Sequence, residues 1–231
     1  MKTVLITGAF SGIGAEVANL FSKKGYEVIY HDRINLLAGS NQISFDLMST
    51  EEIKIAINKN EIIKNKGVDI LINNAGGSLA KKDLVELEDK DIIEDYKLNV
   101  LGHVNIVKEI LPYMNKPGCI INTTSIRGDF RDASSGSMVY SMHKAAMNSF
   151  TVSLAKRLAP DIRVNAVAPG HTLTEFSKKH WSKGTEEKSI SKSLSDRIAN
   201  PYDIAKAFLF ITESDHINGQ IIRIDGGYGL A

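Results

Sequence analysis

The sequence predicts an α/β fold, in which a doubly wound parallel sheet of about seven strands carries helices on both faces. Apolar runs of strand length alternate along the chain with longer segments of helical periodicity. The apolar runs are continuous rather than alternating, as expected for strands that are buried on both faces. Alternation of strands and helices with right-handed crossovers then predicts one domain over residues 1–231.

The predicted elements follow from where the apolar runs begin and end. Strands are expected at residues 3–7, 27–31, 42–45, 69–73, 119–123, 163–168 and 220–224. Helices are expected at residues 13–24, 88–114 and 137–158, and two more open at Ser49 and at Pro201. Gly25 supplies a C′ glycine behind the first helix, and Ser49 with Glu52 has the spacing of a capping box. Asn200 before Pro201 is typical of an N-cap followed by proline at the first helical position.

Two segments break this rhythm. Residues 33–41 are too few for a full helix, so the second crossover is expected to be abbreviated. Residues 172–196 are long, polar and rich in lysine, and they follow the sixth strand. A long connection at the carboxyl edge of a parallel sheet is usually a lid or disordered, so we expect a lid loop here.

The composition limits the class of partner. The chain has 231 residues, of which 43% are hydrophobic and 24% charged, which suits one domain with a substantial core. The formal net charge of +1 provides neither a basic surface for nucleic acid nor a polybasic membrane anchor. The single cysteine, Cys119, cannot form an internal disulfide, and we find no leader peptide and no apolar run of membrane-spanning length. We therefore expect a cytoplasmic protein with no nucleic-acid partner, no membrane partner and no metal site.

A glycine-rich turn joins the first strand to the first helix. Gly8, Gly12 and Gly14 have the spacing G-x-x-x-G-x-G. Such a turn lets backbone amides approach a pyrophosphate at the helix N-terminus, as in a Rossmann-like dinucleotide site. An ordinary tight turn is the alternative, but the position between strand and helix favours dinucleotide binding.

Acidic residues follow the next two strands. Asp32 lies where a carboxylate binds both ribose hydroxyls of NAD and repels the 2′-phosphate of NADP, unless it is only an exposed loop acid. Arg33 beside it is able to receive that phosphate or to stack on adenine, but we favour NAD over NADP. Asp46 and Leu47 close the third strand, where an acid reaches the adenine amino group; a turn before the next helix is the alternative.

Polar residues also end the fourth and fifth strands. The Asn-Asn-Ala-Gly motif at 73–76 suits backbone lying against a ribose, with an asparagine tethering neighbouring strands, or it is a plain turn. Ser125 ends the fifth strand at the carboxyl edge, where ligands bind in such folds. Asn99 lies in the middle of the predicted long helix. It is either an exposed polar residue or part of a kink that frees a backbone carbonyl.

Tyr140 and Lys144 are four residues apart in a predicted helix and so share one face. A surface pair is the simple interpretation, and an activated phenol is the alternative. An ammonium about 4 Å away contributes on the order of 4 kcal/mol at an effective dielectric constant of ~20. That energy lowers the phenol pKa by roughly three units before desolvation is counted, which suits general acid/base catalysis near neutral pH.

Together these motifs resemble those of the classical short-chain dehydrogenase/reductase family over nearly the whole chain. They occur in family order, and the spacing of 15 residues between Ser125 and Tyr140 is slightly longer than usual in that family. The motifs are the glycine turn at 8–14, Asn-Asn-Ala-Gly at 73–76, Asn99, Ser125, Tyr140 with Lys144, Pro169-Gly170 with Thr174, and Asp-Gly-Gly at 225–227.

The resemblance implies a role for each of these residues. Asn99, Ser125, Tyr140 and Lys144 would form a catalytic tetrad. Tyr140 would pass a proton to or from the substrate oxygen, while Lys144 would hold the nicotinamide ribose and lower the phenol pKa. The expected cofactor contacts are Gly8, Ser11, Gly12, Ile13, Gly14, Asp32, Arg33, Asp46, Leu47, Asn74, Ala75, Gly76, Tyr140, Lys144, Pro169, Gly170, Thr172 and Thr174.

The resemblance also predicts the reaction, a reversible hydride transfer between NAD or NADP and a small secondary alcohol or ketone. A non-catalytic dinucleotide-binding regulatory protein on the same fold is the alternative. Arg127, Arg131 and the lysines of residues 172–196 weakly suggest an anionic substrate, although a solvated lid explains the lysines more simply. The family further implies a homodimer or homotetramer, for which a stripe in the helix at 137–158 is either interface or core: Met142, Ala146, Phe150 and Leu154.

Overall fold

The computed structural model describes residues 1–34, 41–80, 82–181 and 183–230, and it has the predicted doubly wound architecture. In this part of the chain, seven parallel strands form one sheet in the order β3-β2-β1-β4-β5-β6-β7. The strands are Thr3–Thr7 (β1), Glu27–Asp32 (β2), Gln42–Ser44 (β3), Val68–Asn73 (β4), Met114–Thr123 (β5), Ile162–Pro169 (β6) and Ile221–Ile224 (β7).

Helices cover the two faces of this sheet. Asn200 caps the last of them and forms a capping box with Asp203, as the Asn-Pro signal predicts. Gly25 has a φ of +83°, as expected for a C′ glycine. The helices are Gly12–Lys23 (α1), Thr50–Lys59 (α2), Glu61–Lys66 (α3), Asp89–Tyr96 (α4), Gly102–Ile110 (α5), Met138–Leu158 (α6), Glu175–His180 (α7), Thr185–Lys192 (α8) and Pro201–Glu213 (α9).

The core consists of two apolar layers, one on each face of the sheet. Side chains of β1 alternate between them: Leu5 packs into one layer, while Val4 and Ile6 pack into the other. The layer containing Leu5 is completed by α2, α5 and α6, and the opposite layer by α1 and α9. Burial on both faces explains why the strands are continuous apolar runs.

The predicted single helix at 88–114 is wrong. The chain forms α4, then a π-helical turn at Lys97–Leu101, then α5, and a short 3₁₀ turn at Leu111–Tyr113 leads into β5, which begins earlier than residue 119. Asn99 lies in the π turn and is fully buried, so the exposed-residue alternative for it is also wrong. Single π turns inside helices are frequent at functional sites, because they re-aim backbone and side-chain groups.

Two further details differ from the sequence-based expectation, and a third cannot be compared with it. Residues 172–196 contain α7 and α8 rather than an irregular loop. Ser49 caps α2 by accepting from the Glu52 amide at 3.3 Å, but the Glu52 carboxylate accepts from the Asp46 amide at 2.9 Å instead of closing a capping box. The expected short crossover at 33–41 falls largely on residues 35–40, which lie outside the described residues.

The sheet order places a switch point at β1 and β4. The chain winds outwards from β1 through β2 and β3, and then returns to the other side of β1 with β4. The crevice at the carboxyl ends of these two strands is the usual ligand site of such sheets. The glycine turn and the Asn-Asn-Ala-Gly motif lie there, at the ends of β1 and β4. Among the described residues, no helix is both long and apolar enough to cross a membrane.

Candidate active site

The carboxyl edge of the sheet brings the four predicted tetrad residues into one region. Tyr140 and Lys144 share a face of α6, and the Lys144 Nζ lies 5.5 Å from the centre of the Tyr140 ring. Ser125, just beyond β5, hydrogen-bonds with the Tyr140 side chain. A Cβ placed on Gly76 would lie 3.0 Å from the Asn99 Oδ1 and 4.0 Å from the Lys144 Nζ, so these two groups flank Gly76. The helix therefore presents Tyr140 to Ser125 despite their long spacing.

Lys144 is held in place by the end of β5. Its side chain is 3% exposed, and its Nζ donates a hydrogen bond to the Thr123 carbonyl at 2.9 Å. Burial lowers the pKa of Lys144 to about 8, although the negative charge of Asp95 partly opposes this change. At neutral pH Lys144 is therefore mostly an ammonium, and its charge lies next to the Tyr140 ring.

The phenol pKa differs from the sequence-based expectation. Burial raises the pKa of Tyr140 to about 12, and the charge of Asp95 adds to the rise, while hydrogen bonding with Ser125 and the charge of Arg127 oppose it. Lys144 is not among the groups that lower this pKa; its Nζ lies 5.5 Å from the centre of the ring and donates to the Thr123 carbonyl. In this structure Tyr140 holds its proton at neutral pH.

A buried carboxylate, which the sequence analysis missed, lies behind the predicted tetrad. Asp95 is 0% exposed, and its Oδ2 accepts from the Leu79 and Ala80 amides at 2.7 and 3.1 Å. Its Oδ1 accepts from the Asn99 Nδ2 at 2.8 Å and from the His143 Nδ1 at 2.9 Å. Although burial alone raises the pKa of Asp95, the His143 hydrogen bond and the two amides hold it below its usual value.

Asp95 thereby connects three parts of the site. The Asn99 side chain also binds the backbone of the segment after β4: its Nδ2 donates to the Gly77 carbonyl at 2.7 Å, and its Oδ1 accepts from the Gly77 amide at 3.2 Å. His143 immediately precedes Lys144 on α6 and is buried. The cluster fixes α4, the π turn, α6 and residues 77–80 relative to one another. The spacing of four residues between Asp95 and Asn99 is too common in helices to have predicted these contacts from the sequence.

The glycine turn has a backbone that only small residues permit. Gly8 and Gly12 have φ values of +66° and +52°. A Cβ on Gly14 would collide with the Gly8 carbonyl oxygen and lie 2.5 Å from the Asn74 Nδ2. Ser11 is the N-cap of α1, but its exposed side chain accepts no hydrogen bond from the first turn.

This geometry fits a dinucleotide. The first amides of any helix have no partner within the helix, and here no side-chain cap satisfies them. Those of Gly12, partly buried Ile13 and Gly14 are therefore left for an anion such as a pyrophosphate. The close approach of Gly14 to Gly8 leaves no room for a side chain at position 14.

The Asn-Asn-Ala-Gly motif tethers neighbouring strands, as predicted. The Asn73 Nδ2 donates to the Asn122 Oδ1 at 2.9 Å, joining β4 to β5. Asn74 joins β4 to β1, because its amide donates to the Thr7 Oγ1 at 2.8 Å and its Nδ2 to the Thr7 carbonyl at 3.0 Å. The Ala75 amide also donates to the Thr7 Oγ1, at 3.0 Å.

His31, for which the sequence offers no explanation, supports the glycine turn from below. Its ring is 1% exposed, and its Nε2 lies 3.0 Å from the Phe45 carbonyl, to which it donates. Its Nδ1 accepts from the Gly8 amide at 3.4 Å, and its backbone carbonyl accepts from the Ala9 amide at 3.0 Å. Burial lowers the pKa of His31 to about 4, so the ring is neutral and able to serve as donor and acceptor at once.

We expect His31 to make stability pH-dependent. Its folded pKa of about 4 lies below the unfolded value of ~6.5, so the unfolded chain binds the extra proton first as the pH falls. The free energy of unfolding should be fully present above pH ~6.5 and should have lost about 2–3 kcal/mol through this group by pH ~4.5. Urea denaturation at both pH values measures the difference. His31→Gln should reduce the pH dependence by that amount, and the same substitution at the exposed His216 is the control for the loss of a histidine.

The predicted adenine-side residues lie beyond β2 and β3. Asp32 is partly buried at the end of β2, and its Oδ1 accepts from the Arg33 amide at 2.7 Å, while Arg33 itself is exposed. Asp46 lies two residues past the end of β3 and accepts from the Met48 amide at 2.8 Å, as a turn residue does. Leu47 is buried against Gly102.

The remaining predicted contacts follow β6. Pro169 ends that strand, and the Gly170 amide donates to the Ile224 carbonyl of β7 at 2.9 Å. Thr172 is buried and pairs with Ala199. Thr174 caps α7, and its Cγ2 would lie 3.3 Å from a Cβ on Gly12. The start of the segment 172–196 therefore lies directly over the glycine turn.

Comparison with known proteins finds similar sequences over nearly the whole chain. The family model described as enoyl-(acyl carrier protein) reductase matches residues 8–229. The chain is 34% identical to the 3-oxoacyl-[acyl-carrier-protein] reductase FabG of Thermotoga maritima, over 98% of this chain and 97% of that protein.

Solved structures are similar to this chain over its whole length. The ligand-free aldohexose dehydrogenase of Thermoplasma acidophilum superposes with a TM-score of 0.90 at 27% identity, covering 100% of this chain and 94% of that one. The structure described as ElxO with NADP bound superposes with a TM-score of 0.86 at 31% identity, covering 100% and 99% of the two chains. FabG and the aldohexose dehydrogenase are named for different substrates, so these similarities indicate a shared scaffold rather than one substrate.

Proposed function

Because the chain belongs to the classical short-chain dehydrogenase/reductase family, we propose that it interconverts a secondary alcohol and a ketone by hydride transfer. The protein is an NAD(P)-dependent oxidoreductase, as the named reductases and dehydrogenases among its relatives are. This activity speaks against the alternative of a non-catalytic regulatory protein. The observation that carries the specific reaction is the meeting of Ser125, Tyr140 and Lys144 beside the glycine turn, at the carboxyl edge of the sheet.

The side chains suggest a division of labour. Ser125 holds the carbonyl oxygen of the substrate by hydrogen bonding, and Tyr140 beside it donates the proton that this oxygen needs on reduction. A phenol that keeps its proton at neutral pH suits donation, and the Lys144 Nζ, 5.5 Å from the centre of the ring, would hold the nicotinamide ribose. Asn99 holds residue 77 next to Lys144. The nicotinamide, when bound, supplies the hydride chemistry.

We propose that the cofactor is held along the crevice between β1 and β4. The turn 8–14 would bind the pyrophosphate, Asn74, Ala75 and Gly76 would lie along a ribose, and Lys144 would hold the nicotinamide ribose. Residues 169–174 would border the nicotinamide, with 172–196 as the lid. Asp46 and Leu47 would contact the adenine side.

Asp32 favours NAD over NADP. Its carboxylate ends β2 beside the glycine turn, where it accepts from one backbone amide and keeps capacity for ribose hydroxyls. A 2′-phosphate at the same place would face this negative charge. Arg33 is exposed and is the residue that would favour NADP instead.

Fluorescence titration with NADH and NADPH tests both the cofactor site and this preference. We expect the wild type to bind NADH more tightly than NADPH, and Asp32→Ala to shift the ratio of dissociation constants toward NADPH by about 10-fold or more, because a repulsive charge is removed. Arg33→Ala is the matched control and should leave NADH affinity within a few-fold. An NADPH preference in the wild type that disappears in Arg33→Ala would reverse the assignment of the two residues.

We also propose a homodimer or homotetramer in the cytoplasm. Met142 is 58% exposed and Ala146 is exposed on α6, so the outer half of the apolar stripe is not core. Phe150 and Leu154 are only partly buried. A continuous apolar strip on a long helix is the kind of surface that a second copy covers.

A further inference from the structure

Three arginines lie close together near the predicted catalytic edge, and two of them have acidic partners. Arg131 pairs with Asp129 at 2.7 Å. Arg223 pairs with Asp132 at 2.7 Å, with Asp225 at 2.8 Å and with Asp129 at 3.2 Å. These carboxylates neutralise both guanidinium groups.

Arg127 is different. Within the described part of the chain, no carboxylate lies within ion-pair distance of its guanidinium. Its Nη1 donates to the Asp132 backbone carbonyl at 3.0 Å, and its Nη2 lies 3.3 Å from the His171 Nε2. These two contacts occupy two of the five N–H groups of an arginine side chain. Because Arg127 is partly buried, its charge is removed from part of its hydration without a counter-ion.

His171 cannot supply the missing negative charge, because its ring is neutral. Burial and the neighbouring guanidinium lower the pKa of His171 to about 4, so at neutral pH the ring is uncharged and accepts the Arg127 hydrogen bond. The ring is fixed by edge contacts with Trp181 and Tyr228, at centroid distances of 5.7 and 5.0 Å. Arg127 is therefore held in one direction by rigid partners, which is how a binding group is preorganised.

The position of Arg127 relates it to the substrate rather than to the cofactor. It follows Ser125 by two residues, and its amide donates to the Ser125 Oγ at 3.1 Å. Its positive charge acts to lower the pKa of Tyr140. Trp181, which contacts its partner His171, belongs to the segment 172–196 that lies over the glycine turn at Thr174. A group bound to Arg127 would thus lie between the predicted catalytic pair and the lid.

We propose that Arg127 is a substrate-binding residue and that the ketone or alcohol carries a carboxylate, which Arg127 binds on its unused N–H groups. This inference rests on the proposed function. A single uncompensated guanidinium matches the single charge and the planar, two-oxygen shape of a carboxylate. The lid lysines are not needed: Lys178 is paired with Glu175 at 3.0 Å, and Glu186 and Glu187 lie on the same segment.

The test compares keto acids with their neutral esters. The probes are pyruvate, acetoacetate and 4-oxopentanoate, each beside its methyl ester, because they vary the distance between ketone and carboxylate. The neutral diketone 2,3-butanedione reports activity without a carboxylate. For the wild type we expect kcat/KM to be at least ~10-fold higher for one or more acids than for the matching ester, since charge-assisted hydrogen bonds are the strong ones. The difference should lie mainly in KM.

Three variants make the test specific. Arg127→Gln should bring the ratio of acid to ester close to one, because any effect of the lost charge on Tyr140 acts on acid and ester alike. Arg127→Lys should restore part of the ratio because it retains the charge. Arg131→Gln, an exposed arginine already paired with Asp129, is the control and should keep the wild-type ratio. An unchanged ratio in Arg127→Gln, or no preference for any acid in the wild type, would overturn the proposal while leaving the proposed function intact.

A binding measurement distinguishes failure of the proposed reaction from failure of the proposed role of Arg127. Absence of turnover with every probe, butanedione included, would count against the proposed alcohol–ketone reaction. Calorimetric titration of the same acids into wild type and Arg127→Gln then decides the role of Arg127 by itself. Acid binding that is lost in the variant supports the proposal, and equal or absent binding in both proteins refutes it.

Discussion

Tyr140→Phe is expected to lower kcat by about 100-fold or more, because it removes the only group in the proposed mechanism that donates the proton. The phenylalanine ring keeps the volume and packing of Tyr140, so folding should be preserved. The NADH dissociation constant should stay within a few-fold. The measurement is the initial rate of NADH oxidation with 2,3-butanedione, at saturating cofactor.

Tyr202→Phe provides the matched control. Tyr202 is 48% exposed on α9, where it contacts Lys206 and no residue of the proposed tetrad. Its loss of a hydroxyl should leave kcat unchanged. Near-normal turnover of Tyr140→Phe would remove Tyr140 from the mechanism, while equal losses in both variants would indicate a general effect of the substitution.

The sequence was sufficient to predict the sheet because its strands have strong local signals. β1 is a fully buried run that coincides with the predicted residues 3–7. The N-terminus of α9 was also predictable, since Asn200, Pro201 and Asp203 act through hydrogen bonds within one turn. Such features depend on neighbours in the sequence and so are visible without the fold.

The errors concern features that depend on distant residues. The π turn at Lys97–Leu101 has no local marker, because the buried Asn99 side chain is satisfied by Asp95 and by Gly77, which lies across the site. The sequence-based expectation for the Tyr140 pKa considers only one charge, at an assumed distance. Burial, which depends on the whole fold, raises that pKa to about 12, and Lys144 is not among the groups that oppose the rise.

In the candidate site, too, features with local sequence signals were predicted and contacts between distant residues were not. The glycine turn and the motif at 73–76 were predicted from composition and position, and the structure places both at the switch point. The supports of the site were not predicted: His31 under the turn, Asp95 and His143 behind the tetrad, and His171 against Arg127. These contacts join residues between 23 and 48 positions apart, as in Gly8 with His31 and Asp95 with His143.

Asp95→Ala is expected to destabilise the fold by ~3–5 kcal/mol, the usual cost of removing one partner from a buried charged cluster. Three donors lose their acceptor, namely the Leu79 and Ala80 amides and the His143 ring, and the Asn99 amide group keeps only its backbone acceptors. Each buried donor left without a partner costs about 1–3 kcal/mol, and relaxation recovers part of the sum. For a chain of this size the melting temperature should fall by roughly 10 °C.

Asp161→Ala is the control for the loss of a carboxylate in itself. Asp161 pairs with Lys116 at 2.6 Å, but both side chains are more than half exposed, so its removal should cost no more than about 1 kcal/mol. A similar small cost for Asp95→Ala would mean that water replaces the lost acceptor and that the cluster does not fix the elements around it.

Asp95→Asn distinguishes a purely structural role from an effect on the proposed catalytic groups. The amide keeps the shape and one acceptor oxygen but removes the negative charge, which raises the pKa of both Tyr140 and Lys144. Without that charge both pKa values should fall, so the limb of the pH–rate profile that reports these groups should move to lower pH. A profile that keeps its wild-type position in a folded Asp95→Asn protein would limit Asp95 to holding the site together. A shifted profile would show that the buried charge also sets the proton affinity of the residues in front of it.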